Sequence, residues 1–280
     1  MVASPTTFDE LARQPGDALD VAIGAALIAR DEYPALDVPR LLARFDELAD
    51  GLEPLHGKPP VEQAQRLSAW MYGDLGFAGD EESYYDPRNS LLPDVLDRRR
   101  GIPISLALVY AELGRRRGVD VRGVGFPGHF LAAVTGGEDV AVLVDPFFGG
   151  QLLDEPRLMG LLSRVAAQVG QDPASWNVAE LVRFSSGREI LARWLMNLRG
   201  IYLGRGDHAR ALVVLDRLLA LAPDSAVTLR DRGLLAARLG SVQLARSDLA
   251  RALELDPSLP DADRLRAELE RLGRAPRWVS

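Results

Sequence analysis

Three histidines and no cysteine bound the chemistry open to this chain. His129 is the one in a suggestive setting, within Phe126-Pro127-Gly128-His129-Phe130 at the start of a segment with strand character. Asp145 closes the segment expected to pair with it, so the two side chains are expected within hydrogen-bond reach at one end of a sheet. An aspartate accepting from an imidazole N–H is the orienting half of a nucleophilic triad, where it fixes the tautomer and supports the imidazolium. A nucleophile is missing from this pattern. Without cysteine there is no thiolate nucleophile, no disulfide and no thiolate zinc ligand. The pair then has three readings: a structural imidazole–carboxylate bond, a binding site for a peptide or small ligand, or the base of a site that uses a serine or water. His56, in a loop, and His208, in a repeat turn, have no ligand spacing around them, and neither metal nor cofactor is expected.

The elements that must position this pair are legible from periodicity. Leu19, Ile23 and Leu27 share a helical face, and Val38, Leu41, Leu42, Phe45, Leu48 and Leu52 repeat at helical spacing. After a break at Gly57, Pro59 and Pro60, a helix is expected from Val61 to Leu75 with Val61, Ala64, Leu67, Met71 and Leu75 inward, stopped by Gly76. Ile102 to Arg117 reads as an apolar helix. Three strands are expected at Val119 to Phe126, Phe130 to Thr135 and Val140 to Val144, the last two joined as an antiparallel hairpin through Gly136, Gly137, Glu138 and Asp139. Asp145 to Gly150 is expected to end the strand region, and helix resumes from Leu158 to Val169. This is an α+β pattern ending near Ser185.

The last third repeats itself. A shift of 34 residues superposes Gly206 on Gly240, Ala211 on Ala245, Leu215 on Leu249, Leu219 on Leu253, Leu221 on Leu255 and Pro223 on Pro257. That period is the tetratricopeptide one, in which each helix pair cannot bury its apolar face alone. Tyr202 and Gly233 fit the same pattern, and Ala262, Leu265, Leu269 and Leu272 form the inward face of a capping helix. Because two units are fewer than an independent array needs, the repeats are expected to pack on the preceding domain, through Ile190, Trp194, Leu198 and Ile201. They read either as a partner-binding surface or as a structural extension of that domain.

Gly101-Ile102-Pro103-Ile104-Ser105-Leu106-Ala107, Gly118-Val119-Asp120-Val121-Arg122, Gly128-His129-Phe130 and Asp145 together resemble the core of a transglutaminase-like domain. The resemblance implies a cysteine at the start of the central helix, with the histidine and aspartate on following strands. Counting back from Ala107 and from Gly118 reaches the same position, and it holds Pro103. Asn89-Ser90-Leu91-Leu92-Pro93-Asp94-Val95-Leu96, Arg100-Gly101 and the trailing repeats resemble the SirB-type branch of that family, from about Leu19 to Leu272. Proline suits the first turn of a helix but has no nucleophilic atom, so the fold survives the substitution and thiol chemistry does not. Ser105 is the obvious substitute, yet two residues along a helix rotate a side chain by about 200°, away from position 103. Its expected use is to bond the backbone of the first turn. Ser90, Tyr84 and Tyr85 lie upstream in a loop expected to line the same cleft.

Composition narrows the partners. With 47% hydrophobic and 26% charged residues, a net charge of −7 and a pI near 5.1, the 280-residue chain is expected to form two globular domains that do not bind nucleic acid. The arginine runs 98–100 and 115–117 are local exceptions, read as helix-end cations with an anion site as the lesser alternative. The first residues lack the basic and apolar regions of a secretory signal, and Val21 to Ala29 is too short to span a bilayer, so a cytoplasmic protein with no membrane partner is expected. The expectation is an α+β chain with a helical N-terminal segment, a transglutaminase-like (papain-like) core with antiparallel strands (1–185), and α-helical tetratricopeptide repeats with a capping helix (186–280). Its expected role is a non-catalytic interaction or scaffold protein with a protein or peptide partner; the alternative is an acyl-transferring or amide-hydrolysing enzyme using His129 and Asp145.

Overall fold

The structure is a computed structural model that describes residues 4–136, 141–170, 172, 176 and 181–274. Its contacts divide the chain into two compact units, Met1–Thr7 with Gln14–Trp194, and Phe8–Arg13 with Leu195–Ser280.

The first unit opens on helices. Asp20 and Asp37 cap α2 (Val21–Ala29) and α3 (Val38–Ala49) by accepting the N–H groups of Ile23 and Arg40, the usual role of an aspartate before a helix. Only α3 has one inward face, of Leu41, Phe45 and Ala49, whereas Ala22 and Gly24 to Ala29 of α2 are all buried. The expected 61–75 helix is α4 (Pro60–Ser68) continued by a π-helical turn, Ala69–Asp74. Two of its expected inward positions are otherwise: Val61 is 48% exposed and Leu75 half-buried. Val61 sits in the first turn, beyond the packed stretch, while the wider π turn lets the Trp70 indole donate to the Leu48 carbonyl.

A short parallel pair, β1 (Ala78–Gly79) with β2 (Arg100–Gly101), brackets the loop that carries Tyr84 and Tyr85 and the helix α5 (Leu92–Arg98). The central helix α6 (Pro103–Arg116) follows at once, with Pro103 at its first position and Ile102 as N-cap. The sheet is an antiparallel meander of four strands, β3 (Val121–Phe126), β4 (His129–Thr135), β5 (Ala141–Asp145) and β6 (Gln151–Leu153). Thus β4 begins at His129, one residue earlier than its periodicity suggests, and Asp145 is the last residue of β5. Gly137 to Asp139 of the expected connection, and Val140 at the head of the third expected strand, lie outside the described residues. The strand region does not end at Asp145 as expected, because the chain turns within Pro146 to Gly150 and returns as β6. Three half-buried or exposed residues are too few to show an alternation.

Leu158, Leu161 and Leu162 of α7 (Glu155–Val169) pack on Val124, Phe126, Leu131, Ala133 and Leu143 of the sheet. Arg116, expected at a solvated helix end, is 13% exposed, bonded to Glu112 and Leu42 and stacked over Phe45. Arg98 likewise bridges Asn89 and Asp80. Both arginine runs therefore tie loops and helices together. The helix α8 (Gly187–Gly204) begins in this unit, where Trp194 is fully buried and its indole donates to the Ser90 carbonyl at 2.7 Å.

The second unit is helical: the C-terminal half of α8, then α9 (His208–Leu221), α10 (Ala226–Arg238), α11 (Val242–Leu255) and α12 (Ala262–Gly273). The repeat positions do the same work in each pair. Ala211 and Ala245 are fully buried, Gly206 and Gly240 take φ of 70° and 81°, and Pro223 and Pro257 follow the ends of α9 and α11. A Cβ on Gly233 would sit 2.8 Å from Leu249, so α10 and α11 approach too closely for any larger residue. Leu265 and Leu272 of α12 close this core. Helix α1 (Phe8–Ala12) belongs here as well, with Arg217 of α9 over the Phe8 ring. The chain is thus α+β, with helices before and around an antiparallel sheet and a repeat region after it.

Candidate functional site

His129 follows the two-residue turn Pro127-Gly128, and its Nε2 lies 2.9 Å from Asp145 Oδ1. Asp145 is 2% exposed, and the same oxygen accepts the N–H groups of Phe147 at 3.0 Å and Phe148 at 3.2 Å. This is an Asx turn, in which the side chain satisfies the backbone that follows it. With Oδ1 acting as acceptor throughout, a neutral imidazole meets it through Nε2–H, which leaves Nδ1 as the nitrogen for any other partner.

The turn after Asp145 is held from the helical side. Tyr72 donates to the Pro146 carbonyl at 2.8 Å, and Ser68 to the Gly150 carbonyl at 2.9 Å. Gly150 has φ 69°, and a Cβ there would sit 2.4 Å from Tyr72, so two constraints require glycine. Burial pushes the Tyr72 hydroxyl well above its ordinary pKa, with Tyr110 and Asp145 adding to the effect, so it remains a donor.

Aromatic rings surround the imidazole. Phe147 and Phe148 lie 6.4 and 6.1 Å from it, Tyr84 is 5.7 Å from Phe147, and Tyr85 is 5.3 Å from Tyr84. Tyr85 is 73% and Phe148 44% exposed, so the rim presents apolar surface to solvent. Beneath it Arg193 of α8 donates through Nη2 to the carbonyls of His129 at 2.6 Å and Phe126 at 3.0 Å. Burial lowers the pKa of this guanidinium, and Tyr84 opposes the shift. Burial in turn raises that of Tyr84, as Tyr85 does, against Arg193.

Of the residues singled out in the sequence, Tyr84 and Tyr85 join the His129 cluster and the two serines do not. Ser105 is fully buried, accepts the Ile102 N–H at 3.0 Å and donates to the Asn89 carbonyl at 2.7 Å. Ser90 is buried too, and its hydroxyl has no hydrogen-bond partner among the described residues. Pro103 is buried at the start of α6. His56 is exposed in a turn, and His208 begins α9, with Nε2 3.3 Å from Arg238. Among the described residues no group of three His, Asp or Glu side chains could hold a metal ion, and no helix is long and apolar enough to cross a membrane. Sequence reasoning missed Arg193, Tyr72, Phe147 and Phe148. The paired phenylalanines between proline and two glycines were the one available signal, since large apolar residues in a turn need a reason.

Comparison with known proteins agrees with these features. A family model described as the transglutaminase-like superfamily matches residues 39–196, and a tetratricopeptide repeat model matches residues 198–270. A UPF0162 protein of Xylella fastidiosa is 37% identical, covering 94% of this chain and 93% of its own. A UPF0162 protein of Pseudomonas aeruginosa is 36% identical over 90% of each chain. Protein SirB1 of Salmonella typhimurium is 29% identical over 74% of this chain and 75% of its own.

Proposed function

We propose that this chain, which belongs to the transglutaminase-like superfamily and carries tetratricopeptide repeats after that domain, binds a protein or peptide partner and catalyses no acyl transfer. One observation carries the reading: the hydroxyl nearest in sequence to Pro103, where the family resemblance implies a cysteine, is already committed to the fold. Ser105 Oγ both accepts from Ile102 and donates to Asn89 at zero exposure, and Pro103 has nothing to donate. A serine nucleophile needs a hydroxyl in reach of its base and of the substrate carbonyl, and this one is open to neither. The pair His129–Asp145 then serves to anchor the turn at Phe147 and Phe148, and with it the aromatic rim. Repeat helices supply the second surface, since this motif stacks into extended partner-binding faces.

A single assay tests the reading. The full chain is incubated with a glutamine-bearing peptide, with and without a fluorescent primary amine, and ammonia release and amine incorporation are followed. Both are expected to equal those of His129→Ala. Turnover that disappears in His129→Ala would instead establish the enzyme reading, with water or an unrecognised hydroxyl as nucleophile.

A further inference from the structure

The repeat unit reverses the sign of the chain's charge at one place. A groove of about 630 Å³ is lined by α8, α10 and α12 with Leu215 of α9, and its walls carry Arg199, Arg230, Arg238, Arg264 and Arg271. Only two carboxylates share that lining, Asp231 and Glu268, which leaves an excess of three positive charges in a chain whose net charge is −7. Both are already taken: Asp231 is held between Arg199 at 2.8 Å and Arg230 at 2.7 Å, and Glu268 by Arg271 at 2.6 Å. Among the described residues neither Arg238 nor Arg264 has a carboxylate at ion-pair distance: the polar contact of Arg238 is His208, and Arg264 acts on Glu268 only through its charge at longer range.

We propose that this groove takes an acidic, leucine-bearing segment of a protein partner, with Arg238 and Arg264 pairing its carboxylates. The inference rests on the interaction role proposed above and gives that role a ligand class. Charge complementarity sets the sign, because a concave surface with an excess of one charge directs its field at an oppositely charged ligand. The floor sets the chemistry. Leu203 is 39% exposed and Leu234 half-buried beside the guanidinium groups, so apolar side chains find a place that a phosphate backbone would leave unfilled. The volume also exceeds what an inorganic anion needs and suits several residues of peptide.

The full chain is panned against random short peptides built from Asp, Glu, Lys, Arg, Leu and Ser, and the enriched peptide is labelled for fluorescence anisotropy. Enrichment of acidic residues with leucine is expected, with affinity that falls as salt rises. The double substitution Arg238→Gln with Arg264→Gln removes no ion pair at contact distance, leaves Glu268 with Arg271, and is expected to weaken binding by about tenfold, confined to the acidic peptide. Enrichment of basic or uncharged peptides, no enrichment, unchanged affinity in the double variant, or tighter binding of a single-stranded oligonucleotide would each overturn the assignment. None of these outcomes bears on His129-dependent turnover, so the two proposals fail separately.

Discussion

Asp145 Oδ1 lies 2.9 Å from His129 Nε2 and receives two backbone N–H groups besides, which makes this one oxygen the junction of strand, turn and imidazole. Replacing it strands three donors, the Phe147 N–H buried and the other two partly so. We expect Asp145→Ala to cost about 3 kcal/mol in urea unfolding, and Asp145→Asn, which keeps an acceptor oxygen, about 1 kcal/mol. Equal losses would show that the backbone N–H groups do not depend on that oxygen.

Introducing Pro103→Cys gives the chain a single thiol. We expect it to alkylate with iodoacetamide at neutral pH about tenfold faster than the Pro103→Cys, His129→Ala double variant, because a neighbouring imidazolium favours the thiolate. Equal rates would mean that the histidine does not reach the first turn of α6.

Arg193 holds both ends of the His129 turn through carbonyls. Arg193→Ala is expected to lose about 2 kcal/mol, and Arg193→Lys nearly as much, since an ammonium on a shorter stem reproduces neither the reach of Nη2 nor the planar guanidinium that lies over the Phe130 ring at 5.6 Å. Calorimetric Tm values that leave Arg193→Lys at wild type would refute this.

Glu189 closes a capping box on α8: Ser186 N–H donates to its carboxylate at 2.8 Å, and Glu189 N–H to Ser186 Oγ at 3.3 Å. Arg183 first, then the Ser186 N–H, lowers its pKa to about 2. A carboxyl depressed in the folded state stabilises above its unfolded pKa, and that stability is lost as pH falls from about 4.5 toward 2. Glu189 is 44% exposed, so solvent screens the pairing and we expect less than about 1 kcal/mol. Glu189→Gln should unfold at the same urea concentration as wild type below pH 2 and earlier at pH 6; a constant difference across that range would assign the effect elsewhere.

A fragment beginning at Arg188 is expected to be unfolded or aggregated by circular dichroism, while the full chain unfolds cooperatively. Such a fragment lacks Ser90, the acceptor of the Trp194 indole, and lacks Phe8 and Leu11, which are buried and grouped by contact with the repeats. A soluble helical fragment with a sharp thermal transition would show the repeats to be independent.

By itself the sequence determined what local spacing encodes. The repeat period was readable because Gly206, Ala211 and Pro223 meet the same demands of turn, close approach and helix end as Gly240, Ala245 and Pro257. Likewise the absence of cysteine excludes thiol chemistry by this chain's own residues in any fold. Tertiary structure alone decided the rest. Ser105 finds its acceptor sixteen residues away, Arg193 reaches carbonyls 64 and 67 residues away, and the short strand β6 exists because β5 offers it an edge. Helix α1 groups with residues almost two hundred positions later. Such relations leave no period in the chain, since backbone periodicity records which face a residue takes and not what lies opposite it. The basic groove is of the same kind: its arginines are spread over three helices, and only their packing gathers them in a chain whose overall charge is negative.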